Sequence, residues 1–245
     1  MTKIEICAVG LNSALIAEKA GAHRIELCEN LEAGGLTPSY GLLKMVRSRV
    51  SIPIHVLIRP RRGDYVYDNH SIDIMVEDIL MVKSLGFEGV VIGVLDKVGN
   101  LDENRFRVLL EAAEGVSVTF HRAIDVSSNR MKLLDRLIEY KVDRVLTSGG
   151  KLTAWEGKET IAEMQQKYGS HIKIMAGSGI HSVNIVDLIH QTGVKEVHFS
   201  AKTTLYSEMN HDSAAYNECS EQLFEDDWWY ESDEAEIRKV LKLLK

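Results

Sequence analysis

The chain has 245 residues, 45% of them hydrophobic and 27% charged, enough for one large core and close to the roughly 250 residues of an α/β barrel. Its net charge of -7 and pI near 5.7, with no basic stripe, exclude nucleic acid as a partner, because that binding rests on Lys and Arg neutralising phosphates. No apolar run approaches the roughly 18 residues of a membrane span, and residues 1–3 lead straight into a strand pattern, so no membrane and a cytoplasmic setting are expected.

Residues 3–8 alternate Ile4 and Ile6 with Glu5 and Cys7, the period of two that marks a strand, and Asn12 or Ser13 can cap an Ala-rich helix ending near Gly21. Across 24–39, Ile25 and Leu27 alternate with Glu26 and Cys28; Gly34-Gly35 follow, with Thr37 as the expected helix cap and Pro38 in the first helical position. Leu42, Leu43 and Val46 share one face of that helix. The strand at 54–58 runs into the charged loop Arg59-Pro60-Arg61-Arg62-Gly63-Asp64. A helix from Ile72 sets Met75, Val76, Ile79, Leu80 and Val82 at helical spacing before Gly86 closes it.

The strand at 89–92 precedes a helix that follows Asp102 and turns Phe106, Leu109 and Leu110 inward. The strand at 117–120 ends in His121-Arg122, and the next helix carries Met131, Leu134, Leu137 and Ile138. The strand at 144–146 opens into Thr147-Ser148-Gly149-Gly150, after which Thr153 and Glu156 form a capping-box pattern. The strand at 172–175 leads into Ala176-Gly177-Ser178-Gly179-Ile180 and a helix through Val183, Val186 and Leu188; the strand at 196–199 ends in Ser200-Ala201-Lys202. Eight strand–helix units imply parallel pairing with right-handed crossovers, hence an α/β fold with a single (β/α)8 TIM barrel over 1–245. The alternative, a doubly wound sheet, would want a G-x-G-x-x-G fingerprint that is missing after strand one. Residues 204–231, with Asp226-Asp227-Trp228-Trp229-Tyr230, lack periodicity and read as an extended segment before the last amphipathic helix, on the surface or at a subunit contact.

If Ile4, Ile6, Ile25 and Leu27 face the helices, the barrel interior receives Glu5, Cys7, Glu26, Cys28, His55, Arg59, Thr119, His121, Met175, His198 and Ser200. Buried charges need partners, and Arg59, His121 or His198 could supply them. One reading of the glutamates is a structural salt-bridge layer; the other is a site at the top of the barrel. His121, beside Arg122 at a strand end, is a candidate general acid or base, while His55 and His198 lean toward structural roles. Gly177, Ser178 and Gly179 can present backbone N–H groups to a phosphate or other anion, and Ser148 and Gly149 can extend that cradle. The three cysteines, Cys7, Cys28 and Cys219, are too few for a disulfide framework and read as reduced thiols.

The motifs E-I-C, R-I-E-L-C-x-N-L-x-x-G-G-L-T-P-S, H-V-L-I-R-P-R, V-T-F-H-R-A-x-D, R-V-L-T-S-G-G and M-A-G-S-G-I together resemble those of the CutC family of copper homeostasis proteins, from about Ile4 to Ser200. Arg62 departs from the family's R-P-R-G-G-D run and makes that loop bulkier and more basic. The resemblance implies a cytoplasmic TIM barrel, commonly a homo-oligomer, linked to copper tolerance, with its metal thiols on Cys7 and Cys28 and Cu(I) as the ion. Soft thiolates at the ends of adjacent strands suit Cu(I), with Met175 as an expected helper. The alternative is an enzyme of lyase, isomerase or hydrolase type acting on a small anionic or phosphorylated metabolite, in which Glu5, Glu26 and His121 share acid–base work while Arg59 and Arg122 hold the anion.

Overall fold

The computed structural model describes residues 2–208 and 228–245. The strands β1 (Lys3–Ala8), β2 (Arg24–Leu27), β3 (Ile54–Leu57), β4 (Gly89–Ile92), β5 (Ser117–Phe120), β6 (Arg144–Thr147), β7 (Lys173–Gly177) and β8 (Glu196–Phe199) pair in chain order, all parallel, and β8 closes on β1. The helices α1 (Leu11–Ala20), α2 (Tyr40–Arg47), α3 (Asn69–Ser84), α4 (Glu103–Ala112), α5 (Arg130–Glu139), α6 (Lys158–Tyr168), α7 (Ile185–Thr192) and α8 (Glu234–Leu243) are the crossovers and the final helix. The expected TIM barrel is therefore the fold.

Strand alternation sorts the side chains. Ile4, Ile6, Ile25, Leu27, Ile54, Val56, Val90, Phe120, Val145, Ile174 and Val197 join the apolar layer between sheet and helices. The opposite face of the same strands points to the barrel axis and carries charge. There Arg24 donates from Nε to Glu5 and from Nη2 to Glu196 Oε2 at 2.8 Å, while Arg144 donates to Glu196 Oε2 at 2.5 Å and to Thr119 Oγ1 at 3.2 Å. All five side chains are nearly inaccessible to water. Such a layer is tolerated because each charge meets an opposite one within hydrogen-bond distance.

Helix ends follow local chemistry more closely than the sequence pattern does. Ser39, not Thr37, caps α2 by accepting from Leu42 N–H, and Thr37 Oγ1 instead accepts from Arg59 N–H at 2.9 Å. α1 starts after Gly10 with no side-chain cap, so neither Asn12 nor Ser13 serves. Thr153 and Glu156 do form their reciprocal box, but on the turn before α6. Leu80, expected inward on α3, is exposed, and so is Val183, which precedes α7.

Within the expected extended segment, β9 (Lys202–Tyr206) and β10 (Trp228–Ser232) form an antiparallel pair, with Lys202 Nζ 3.9 Å from the Tyr230 ring centroid. Asp226, Asp227 and Cys219 lie outside the described residues. Among the described residues, no helix is long and apolar enough to cross a membrane.

Replacing Glu196 by Ala would leave Arg144 and part of Arg24 buried without their shared carboxylate. The expected loss is about 3–5 kcal/mol of unfolding free energy, measured by urea denaturation. Lys19→Ala, which removes the exposed pair with Glu234, should lose less than about 1 kcal/mol.

Candidate functional site

The inward side chains one step above the ionic layer open into a cavity of about 890 Å³ at the C-terminal ends of the strands. Cys7 and Glu26 are register partners on β1 and β2, and Cys28 follows at the end of β2. Their placement brings Cys7 Sγ to 3.6 Å from Cys28 Sγ, packed with Leu57 and Val91. Gly35, at φ +85°, passes directly over this group; a Cβ there would meet Leu57 at 2.7 Å.

His198 joins the two levels. Its Nδ1 lies 2.8 Å from Glu5 Oε1 and its Nε2 3.4 Å from Glu26 Oε2. Burial opposes a charged imidazole, yet the flanking Glu26, Cys7 and Glu5 overcome it and hold its pKa well above the usual histidine range. Burial likewise opposes the Glu5 carboxylate, but His198 and Arg24 keep its pKa far below normal. Burial, with Glu5 as a nearby like charge, pushes Glu26 up. The hydrogen bond with Cys28, and then burial, raises Cys7 well above an ordinary thiol.

The two glutamates therefore separate. Glu5 is sealed into the ionic layer, whereas Glu26 lines the cavity with Cys7, Cys28 and His198. Of the partners expected for them, only His198 is used. Arg59 instead donates Nη1 to the carbonyls of Ala33 (2.7 Å) and Gly35 (2.9 Å) and Nη2 to that of Gly63 (3.0 Å). It stacks over Tyr65, with 5.4 Å from Cζ to the ring centroid. Met175 is an acceptor for Arg24 at 3.4 Å, below the thiols and away from them in role.

His121 also lines the cavity, 4% exposed, with the Tyr65 ring 4.8 Å away. Its Nδ1 accepts from Ala123 N–H at 3.1 Å and so caps the 3₁₀ turn Arg122–Val126. Burial, and then the Arg59 charge, push its pKa down to about 3. The imidazole expected as a general acid or base is thus held uncharged, with Nδ1 engaged by Ala123 N–H. His55, beneath Thr119, is pushed down by burial to about 4.

The loop after β6 offers no open anion cradle. The Asp125 carboxylate already accepts from Ser148 N–H, Ser148 Oγ, Gly150 N–H, Thr147 Oγ1 and Arg122 Nε, at 2.6 to 3.1 Å. Gly149 N–H goes to Thr147 Oγ1. After β7, Ser178 and Gly179 do line the cavity, while Gly177 packs against Leu146. The following helix begins only at Ile185, and Glu236 accepts from both Ser182 N–H and Ser182 Oγ ahead of it. Sequence reasoning missed Arg24, Arg144, Glu196, Asp125 and Tyr65. The first three share the strand parity of Glu26 and His198, which was the signal available.

A thiol, carboxylate and imidazole at the floor of a cavity on the C-terminal face define a (β/α)8-barrel protein with its site where barrel enzymes carry theirs. A sequence model of the CutC family matches residues 2–203, and the chain belongs to that family. The family protein CutC of Pasteurella multocida is 42% identical over 239 residues, covering 97% of each chain. That of Xylella fastidiosa is 45% identical over 202 residues, 82% of this chain and 76% of its own. A solved structure from Streptococcus agalactiae, which bears the name copper homeostasis protein CutC, is 34% identical with a TM-score of 0.78, covering 82% of this chain and 99% of its own. Phosphoribosyl anthranilate isomerase of Thermotoga maritima, at 14% identity and a TM-score of 0.58 over 99% of this chain and 98% of its own, shares the fold.

The two neutral histidines set a pH dependence. In the unfolded chain each takes up a proton near pH 6.5, whereas the folded chain resists it down to about 4 at His55 and about 3 at His121. Stability present above pH 6.5 is thus lost as the pH falls toward 4. Thermal midpoints measured from pH 7.5 to 4 should decline over that window, and decline less steeply in His121→Gln.

Proposed function

We propose that the chain is an enzyme that acts on a small anionic metabolite by moving a proton within the barrel-mouth cavity. The observation that carries this reading is the cavity itself: at about 890 Å³ it exceeds what one metal ion needs and fits a small molecule. Glu26 and Cys7 are the groups placed to exchange protons with a ligand resting on the floor, with His198 behind both. Arg59, whose hydrogen bonds run to neutral carbonyls, supplies positive charge at the cavity wall, where the Arg122 charge is paired with Asp125. Isomerase-type or lyase-type chemistry next to a carbonyl matches that set, since it needs a base, an acid and a hold on an anion. The cytoplasmic setting and homo-oligomer implied by the family belong to the same proposal, and sedimentation equilibrium checks the second.

A second reading rests on one specific distance. The Cys7 and Cys28 sulfurs, 3.6 Å apart, are a soft donor pair that suits a single Cu(I) carried as cargo. Cys7, Glu26 and His198 also bring one ligand atom each within 4.8 Å of one another. Both thiols must shed protons to bind the ion, and Cys7 holds its proton unusually well, so affinity should rise with pH.

The enzyme reading is tested in D₂O with a pool of 2-oxo acids, 2-hydroxy acids and sugar phosphates, following proton NMR signals. At least one compound should lose a C–H signal beside its carbonyl, and Glu26→Gln should slow that loss by about 100-fold or more. An unchanged pool would overturn it. For copper, a Cu(I) titration against a chelator should give tight 1:1 binding that disappears in the double variant Cys7→Ser, Cys28→Ser; equal affinity in that variant would rule out the thiol site.

A further inference from the structure

Among the buried polar atoms of the described residues, His121 Nε2 is one of few with no hydrogen-bond partner. The orphan belongs to a ring fixed from every side. Ala123 N–H donates to Nδ1 at 3.1 Å, which leaves Nδ1 without a proton and puts the ring's single proton on Nε2. Tyr65 and Phe120 stand 4.8 and 5.9 Å away, ring to ring. Beneath it, Gly93 leaves open the space the imidazole fills, since a Cβ there would collide with His121 Cε1 and Nδ1.

A buried donor with no acceptor costs about 1–3 kcal/mol. The groups that face the ring do not relieve it: Tyr65 meets it with a ring tilted by 45°, Arg59 is a cation, and the Asp125 carboxylate is consumed by the loop after β6. The ring lines the same cavity as Glu26 and Cys7. An acceptor brought in by a ligand completes the arrangement.

We propose that His121 is an uncharged hydrogen-bond donor to a ligand oxygen, and that the substrate is a small acid whose carbonyl oxygen lies at Nε2–H while the adjacent C–H lies over Glu26. This rests on the enzyme reading above and names its substrate class. The C–H proton passes to the Glu26 carboxylate, and the C–H electron pair moves into the carbonyl, so that its oxygen becomes an enolate oxyanion. Nε2–H strengthens its bond to that oxygen as charge develops, without giving up the proton. Return of a proton from Glu26 to the same carbon closes the exchange, and no further reactant is consumed. Burial, and then the neighbouring Arg59 charge, keep the ring uncharged.

Protein labelled with ¹⁵N-histidine tests this through long-range proton–nitrogen spectra, with His121 assigned by its absence in His121→Gln. The Nε2–H tautomer should persist unchanged from pH 5 to 9, and oxalate, a planar mimic of an enolate, should shift its Nε2–H proton downfield. Titration of the ring between pH 6 and 7, or no response to saturating oxalate, would overturn the proposal. Deuterium exchange into the substrate should fall about 100-fold in His121→Leu, through kcat rather than KM, and recover in part in His121→Gln, which keeps an N–H donor. Exchange by the wild-type protein without an oxalate response at His121 would sink this assignment and leave the enzyme reading standing. An oxalate response with no exchange of any substrate would overturn the enzyme reading and the substrate class with it, and leave only the donor at Nε2 standing.

Discussion

Everything above the barrel midplane depends on one constraint, the neutralisation of charge across the barrel axis. Arg24, Arg144 and the protonated His198 face Glu5, Glu196 and Glu26 in a space closed to water. Isolated charges there would be expelled or neutralised, and breaking a single pair leaves its partner stranded. Members of such a network polarise and fix one another. The usual apolar filling of a barrel is replaced here by groups whose directions are fixed by hydrogen bonds, which gives the site above it a rigid and electrostatically defined base.

That base divides two residues that look alike in sequence. Glu5-x-Cys7 and Glu26-x-Cys28 repeat the same pattern on adjacent strands, but parallel register offsets them by two residues, with Glu5 opposite Arg24 and Cys7 opposite Glu26. Glu5 thereby falls to the level of the arginines and is spent on them. Glu26 rises to the level of Cys7 and meets the cavity. His198 contacts both and carries the influence of the lower level upward, raising the positive charge beside Cys7 and Glu26. The ladder that the sequence suggests is one rung higher on β2 than on β1, and only the higher carboxylate opens to the cavity.

The fold was legible because eight period-two strands alternate with helices at an even spacing, and the inward set followed from parity alone. Glu26, Cys7, Cys28, His121 and His198 all reach the cavity as that parity requires. What parity does not carry is pairing across the barrel. Arg24 and Glu196 are 172 residues apart in the chain, and nothing local at either position announces the other. The same limit explains Arg59, read as a partner for the glutamates. Its target is set by the carbonyls of the loop after β2, whose course depends on turns at Asn30, Gly34 and Gly35 that all take positive φ. Thr37 failed as a cap for a similar reason, since its hydroxyl is claimed by a strand-end N–H 22 residues away.

The glycine loops were read as phosphate cradles from their place in the fold, and their fate bears on what the cavity can hold. Asp125 fills the cradle after β6 with a carboxylate of the chain itself, and Glu236 binds the N–H and hydroxyl of Ser182 beyond β7. The loop after β6 is thus filled by an internal anion and Ser182 is held by Glu236, while Ser178 and Gly179 still line the cavity. The remaining attraction comes from Arg59 on the wall and from the neutral His121 donor, an arrangement that rewards a smaller and less charged oxygen group. A carboxylic acid with an adjacent carbonyl meets those terms, because its carboxylate can use Arg59 while the carbonyl accepts from an imidazole that adds no charge of its own.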